Sequence, residues 1–189
     1  MLTAIRGSFV DFIDDPFYQP EAACVRYFSD GLLVLEGGKV SAVGDYDSLQ
    51  ENYRQVPTTH YIGQIIVPGF IDTHIHYPQT EMIASYGEQL LEWLNRYAYP
   101  TEKKFQDKAY AAKVADVFLD QLLRNGTTTA LVFEAVVSES VDAFFEAAER
   151  RNLCMIAGKV MMDRNAPADL CDTAESGYLQ TKALIEKWH

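Results

Sequence analysis

The sequence predicts an α/β fold in two parts, a β-rich segment over residues 1–67 and a mixed segment over residues 68–189. Two observations carry this prediction. The first segment consists of short β-forming runs separated by Gly, Pro and Asp turns, which is typical of a small β-domain. In the second segment, apolar strand-like runs alternate with helix-like runs of three- and four-residue periodicity. We therefore expect a small β-sandwich segment followed by a parallel sheet covered by helices.

The clearest element of the first segment is a β-hairpin. Gly31–Glu36 and Lys39–Gly44 are β-forming runs on either side of Gly37 and Gly38. A pair of glycines between two such runs is a strong signal for a two-residue hairpin turn. Tyr61–Val67 predicts a further strand.

The first strand of the second segment carries the most informative residues of the chain. It follows a Pro-Gly turn and runs over Phe70–His76. Side chains two positions apart on a strand share a face, so Asp72, His74 and His76 are expected on one side. Neutral imidazole is a common metal ligand, and two imidazoles on one face can supply two nitrogens to one ion. Asp72 either orients such a ligand or satisfies buried backbone groups, and the sequence does not separate these roles.

The remaining elements alternate between helix and strand. In chain order they are a short helix over Gly87–Tyr97 ended by Pro100, an amphipathic helix over Phe105–Arg124, a strand over Thr127–Ala135, a helix capped by Ser138, a strand over Cys154–Met162, and a final helix capped by Asp172 with Glu175 as capping-box partner. This alternation of strands and helices fits an open doubly wound sheet as well as a closed barrel. Metal ligands at the carboxyl end of the first strand favour a (β/α)8 barrel, because active sites lie on that face.

Composition narrows the class of partner. The net charge of −11 argues against a nucleic-acid surface, which needs basic patches to neutralise phosphates. No apolar run approaches the length of a membrane helix, and the amino terminus has no signal-peptide pattern. The three cysteines, Cys24, Cys154 and Cys171, lie far apart and form no Cys-x-x-Cys pair, which fits a reducing cytoplasm.

The segment Pro68–His76 resembles the first barrel strand of the amidohydrolase superfamily, whose signature is Pro-Gly, two apolar residues, Asp, a variable residue and His-x-His. Within that superfamily the chain resembles the guanine deaminases. The segments that carry this resemblance are Tyr77–Gln79, Tyr86–Asn95, Tyr99–Glu102, Leu122–Ala130 and Gly158–Pro167. The resemblance covers essentially the whole chain and implies that residues 68–189 are about the first three βα units of a (β/α)8 barrel.

The resemblance also implies a reaction and its residues. Guanine and water would become xanthine and ammonia at one zinc ion, with iron as the alternative metal. His74 and His76 would be metal ligands, and Gln79, His76, Trp93 and the backbone of Tyr77 would contact guanine. The expected partner is this small molecule, with no nucleic acid and no membrane, in a cytoplasmic enzyme that is a homodimer when full length.

Two of these residues have a structural alternative. Gln79 can be read as a loop glutamine bonded to water. Trp93 can be read as a helix anchor that packs on Leu90 and Leu94.

The resemblance places the remaining machinery outside this chain. In the family, two further histidines, an aspartate ligand and the proton-shuttling glutamate come from later strands, so no catalytic residue is expected before His189. We therefore expect an amino-terminal portion of the enzyme that is inactive alone. The alternatives are a related amidohydrolase that deaminates oxidised guanine, another purine or a triazine, and a non-catalytic fragment that acts as a binding or assembly partner.

Overall fold

A computed structural model describes residues 1–87 and 89–189 of the chain. These residues form two compact units, Met1–Pro68 and Gly69–His189. Glu88, which falls in the helix predicted over Gly87–Tyr97, lies outside the described residues. None of the helices in the described ranges is long and apolar enough to cross a membrane.

The first unit is built on one four-stranded sheet. Its elements are β1 (Leu2–Phe12), α1 (Glu21–Cys24), β2 (Val25–Glu36), β3 (Lys39–Asp45), α2 (Tyr46–Leu49) and β4 (Thr58–Ile66). The strand order is β3-β2-β1-β4. The β1–β2 and β2–β3 pairs are antiparallel, and the β1–β4 pair is parallel.

The hairpin prediction is confirmed, because β2 and β3 pair across Gly37 and Gly38, whose φ angles are 58° and 79°. Both angles are positive, as a type I′ turn requires. The predicted sandwich is not found in the described part of this unit, which contains a single sheet. Side chains of α2 and of the turns after it pack on the buried residues of β1 and β2, where a sandwich would place a second sheet.

The second unit is built on a three-stranded parallel sheet in the order β5-β6-β7. Its strands are β5 (Phe70–His76), β6 (Thr127–Phe133) and β7 (Cys154–Gly158). Its helices are α3 (Leu90–Trp93), α4 (Tyr99–Glu102), α5 (Lys108–Arg124), α6 (Ser138–Arg150) and α7 (Ala174–Trp188), with a π turn at Leu94–Ala98 and 3₁₀ turns at Tyr77–Met82, Lys103–Gln106 and Ala168–Leu170. The predicted parallel sheet is confirmed.

The core of the second unit lies between β6 and the helices α5 and α6. Ala130 and Val132 of β6 are buried against Val114 and Phe118 of α5 and Phe144 of α6. Because parallel strands are joined by crossover helices, helices pack on the sheet and its strands read as apolar runs.

Several predicted boundaries shift by a few residues. The strand β6 ends at Phe133 rather than Ala135, and β7 ends at Gly158 rather than Met162. The amphipathic helix begins at Lys108, where Asp107 caps it by accepting from the Ala109 N–H.

The prediction that Pro100 ends a helix is wrong. Helical backbone continues through it, because Pro100 is the second residue of α4 and α4 follows a π turn whose residues already have helical dihedral angles. The preceding π turn makes this possible, since the Tyr99 N–H donates to the carbonyl of Leu94, five residues earlier.

Two predicted caps are also wrong. Ser138 is the first residue of α6 rather than its cap. The capping box of α7 is formed by Thr173 and Ser176, one residue later than predicted. Asp172 is engaged elsewhere, because its Oδ2 accepts from the Nζ of Lys159 at 2.5 Å in a largely buried ion pair.

The glycine before β5 leaves no room for a side chain, and this predicts an effect of substitution on stability. A Cβ at Gly69 would overlap the side chain of Thr128, so Gly69→Ala should destabilise the second unit by about 1–3 kcal/mol through overpacking. The measurement is urea unfolding followed by tryptophan fluorescence, since both tryptophans lie in this unit. Gly158→Ala is the control, because a Cβ there meets no atom within 4 Å. Equal unfolding midpoints for the two variants would contradict the overlap.

Candidate metal and substrate site

The two histidines of β5 converge on one face of the strand, as predicted. Their ring centroids are 5.2 Å apart, and the Nε2 atoms of His74 and His76 are 3.3 Å apart. The intervening Ile75 packs against the core on the other side. Two nitrogens bound to one zinc at about 2.0–2.1 Å in tetrahedral geometry lie about 3.3 Å apart. The pair therefore fits two positions of a single zinc ion.

An aromatic ring from the neighbouring strand packs on both imidazoles. His76 pairs with Phe133 in the β5–β6 register. The Phe133 ring stacks on His76 with centroids 4.7 Å apart and 13° between the planes, and it lies 4.7 Å from the ring of His74. This packing restricts the rotamers of both imidazoles before any ion binds. Phe133 was not among the predicted site residues, because only the strand register places it beside the pair.

The surroundings of the second imidazole favour its neutral form. Burial, and secondarily the nearby His74, lowers the pKa of His76. The neutral ring is the form that coordinates a metal. Asp72 accepts a hydrogen bond from the backbone N–H of His74 at 3.0 Å, so the structure supports its backbone-satisfying role.

A cavity of about 440 Å³ opens beside the pair, within the range of small-molecule pockets. His74, His76, Gln79 and Trp93 all line it. Leu90, proposed as a packing partner in the alternative reading of Trp93, is 67% exposed. The structure thus brings four of the five predicted site residues to one cavity.

The fifth residue, Tyr77, is a core residue. Its side chain is fully buried, and its hydroxyl donates to the carbonyl of Ala111 at 2.8 Å. Its own carbonyl accepts from the Thr80 hydroxyl at 2.6 Å. Tyr77 therefore anchors the turn that carries Gln79, and its side chain does not reach the cavity.

A carboxylate that was not among the predicted site residues contacts this turn. Gln79 Nε2 donates to Glu102 Oε1 at 3.4 Å. Burial raises the pKa of Glu102, and the bond from Gln79 opposes that rise. The only sequence signal was a glutamate directly after Tyr-Pro-Thr, which carries no information about its distance from Gln79.

A second unpredicted carboxylate lies one residue beyond β6. Glu134 is buried, its Oε2 accepts from the Ser140 hydroxyl at 3.4 Å, and its Oε1 has no hydrogen-bond partner in the described part of the chain. Burial raises its pKa well above the ordinary value of 4.5. The sequence signal was a single glutamate at the end of an apolar run.

The site supplies only part of a metal centre. Among residues 1–87 and 89–189, no cluster of three or more His, Cys, Asp or Glu side chains is arranged around one point. A zinc site has four or five ligands, so the pair of imidazoles leaves the others to be supplied from elsewhere.

Comparison with known proteins gives the family. Residues 65–188 match the model of the amidohydrolase family. The chain is 55% identical to guanine deaminase of Escherichia coli K12, over all of this chain and 43% of that protein.

Solved structures agree with this match. Guanine deaminase from Bradyrhizobium japonicum superposes with a TM-score of 0.93 at 44% identity, over 100% of this chain and 41% of that one. Guanine deaminase from C. acetobutylicum, solved with guanine in its active site, superposes with a TM-score of 0.83 at 26% identity, over 99% of this chain and 43% of that one. The chain thus spans less than half the length of the relatives it matches. On the strength of the match over residues 65–188, the chain belongs to the amidohydrolase family.

Proposed function

We propose that the chain is the amino-terminal part of a guanine deaminase, which converts guanine and water into xanthine and ammonia. The observation that carries the proposal is the pair of Nε2 atoms 3.3 Å apart beside a cavity that Gln79 also lines. The 55% identity to the E. coli guanine deaminase supports this substrate over other bases.

We also propose that the second unit is the first part of a (β/α)8 barrel, and that the first unit is part of a β-sandwich completed by other strands. Large apolar side chains are exposed at both edges of the three-stranded sheet, where Ile71 on β5 is 69% exposed and Ile156 on β7 is 59% exposed. Parallel sheets normally have both faces covered by the helices that connect their strands, so such exposure favours further strands, with their crossover helices, beyond each edge.

In the proposed site, His74 and His76 hold the metal and Gln79 and Trp93 hold the base. When bound by these residues together with ligands from elsewhere, zinc would lower the pKa of a water to about 7 and would so supply hydroxide at neutral pH. The Gln79 amide offers both donor and acceptor to the edge of the ring, and Trp93 offers an aromatic face. The remaining ligands and the proton-shuttling glutamate belong to later strands.

We propose that the enzyme is cytoplasmic. All three cysteines are free, which fits a reducing cytoplasm. A homodimer is the assembly that we propose for the full-length enzyme.

The test is a fusion protein that joins this chain to the part of the E. coli guanine deaminase that follows its matched region. We expect the fusion protein, loaded with zinc, to release ammonia and xanthine from guanine, and this chain alone with zinc to release neither. A fusion protein that folds and binds zinc but leaves guanine unchanged would contradict the proposed substrate. Ammonia release by the chain alone would contradict the proposal that the remaining metal ligands and the proton-shuttling glutamate lie outside this chain.

Gln79→Ala in the fusion protein should raise the KM for guanine by about 10- to 100-fold, because one or two hydrogen bonds to the ring are lost. Its zinc content should stay at one ion, as measured by elemental analysis. The control is Gln64→Ala, which removes an exposed glutamine of β4. Loss of zinc from the Gln79 variant would show that this residue serves the metal rather than the base.

A further inference from the structure

We propose that Glu102 is a positioning residue that fixes the orientation of the Gln79 amide, and so selects rings with a donor and an acceptor side by side. This inference rests on the proposed function, because it assigns the reason why Gln79 can read one edge of a base. The contact that carries it is the 3.4 Å hydrogen bond from Gln79 Nε2 to Glu102 Oε1.

The chemistry of this contact allows one orientation of the amide. A carboxylate oxygen can only accept, and in an amide only the nitrogen can donate. The Gln79 nitrogen must therefore face Glu102, which engages one of its two N–H groups. The second N–H and the carbonyl oxygen remain for a ligand. A glutamine without such a partner can turn over and exchange its donor and acceptor.

The backbone presents Glu102 to this position through an unusual helical segment. Glu102 is the last residue of α4, which begins directly after the π turn at Leu94–Ala98. An added residue in a helix rotates everything after it by about 100°. The π turn thus decides which side chain of α4 faces the turn that carries Gln79. Such π turns are frequent at functional sites.

The surroundings of Glu102 favour the bond to Gln79 over an ion pair. The two lysines that follow it are engaged elsewhere, because Lys103 pairs with Asp169 at 2.6 Å and Lys104 pairs with Glu81 at 2.8 Å. Glu102 is partly buried, which raises the pKa of its carboxyl, and the hydrogen bond from Gln79 opposes that rise because it favours the ionised, accepting form. A partly buried carboxyl that is bonded to a residue lining a cavity is typical of a functional role rather than a surface role.

The substrate class follows from the groups that remain. A fixed N–H and C=O pair binds a ring edge on which an acceptor lies next to a donor, as in a ring nitrogen beside an amino group. Free purine bases with an exocyclic amino group next to a ring nitrogen have such an edge. A ring that offers only acceptors along its edges leaves the Gln79 carbonyl unpaired, which weakens binding.

The first test uses this chain and measures the Gln79 side-chain amide by ¹H–¹⁵N NMR, with the signals assigned by their loss in Gln79→Ala. We expect one amide proton to exchange slowly with solvent, and Glu102→Ala to speed its exchange about tenfold. Glu102→Gln should give an intermediate exchange rate, because its carbonyl still accepts while its amino group can also donate and so admits the second orientation of Gln79. The matched control is Glu81→Ala, a glutamate on the same turn that pairs with Lys104. Equal exchange in the Glu102→Ala and Glu81→Ala variants would overturn the proposal.

The second test uses the fusion protein and separates this inference from the proposed function. Glu102→Ala should raise the KM for guanine about tenfold with little change in kcat and with zinc content unchanged, and Glu102→Gln should recover only part of the loss, because its amide accepts both orientations of Gln79. Deamination of guanine with the same KM in Glu102→Ala and Glu81→Ala would overturn the positioning role while the proposed function stands. Slow exchange that depends on Glu102, in a fusion protein inactive on guanine, would support the positioning role and reject guanine as substrate.

Discussion

His76→Ala in the fusion protein should abolish zinc binding and lower the rate of guanine deamination by about a thousandfold or more. The Nε2 atoms of His74 and His76 lie 3.3 Å apart and together fit two positions of one zinc ion. Without His76, one of these two positions has no ligand. His74→Ala should behave alike. The measurements are zinc per protein by elemental analysis and the rate of ammonia release.

The matched control for this prediction is His60→Ala, which removes an exposed histidine of β4 in the first unit. It should keep one zinc ion and the full rate. Circular dichroism of the His76 variant should be unchanged, since the substitution removes ring contacts with Phe133 and His74 and leaves the backbone pairing of β5 and β6 in place. Retention of one zinc ion and most of the activity by His76→Ala would remove the proposed metal site.

The histidine pair was predictable because it depends on local geometry alone. Side chains on a strand alternate with a period of two, so His-x-His must share a face once the strand is recognised. The hairpin at Gly37 and Gly38 was predictable for a similar reason, since two positive φ angles strongly favour glycine. Sequence reasoning succeeds where the relevant contacts lie within a few residues of each other.

The residues that the sequence did not reveal depend on contacts far apart in the chain. Phe133 reaches the imidazoles only through the register of β5 and β6. Glu102 reaches Gln79 only because a π turn carries the helix through Pro100, where the usual rule places an end. The second layer of the predicted sandwich depends on which strands are available to cover the sheet, and strand content alone does not determine it.

Glu134→Gln should stabilise the second unit at neutral and higher pH. Burial raises the pKa of Glu134 well above its ordinary 4.5, because its charged form would lie without water and with one oxygen unpaired. The folded chain therefore keeps a proton on Glu134 that the unfolded chain releases as the pH rises past its ordinary pKa. The contribution of Glu134 to stability is complete below that pKa and is lost as the pH rises through the folded pKa.

Glutamine keeps the shape of the protonated acid and does not ionise. The free energy of unfolding of the Glu134→Gln variant, relative to that of the native chain, should therefore increase with pH. We expect no more than a small difference near pH 4.5 and about 1–3 kcal/mol in favour of glutamine at pH 8. The measurement is the free energy of unfolding in urea at several pH values, followed by the fluorescence of Trp93 and Trp188.

Glu81→Gln is the control with the opposite sign, because hydrogen bonding to Lys104 is the main cause that lowers the pKa of Glu81. Its carboxylate contributes stability above its unfolded pKa, so glutamine there should be neutral or slightly destabilising at pH 8. A Glu134→Gln variant that is less stable than the native chain by a constant amount across this range would mean that Glu134 is ionised in the folded chain. Its charge would then need a partner for Oε1, which has none in the described part of the chain.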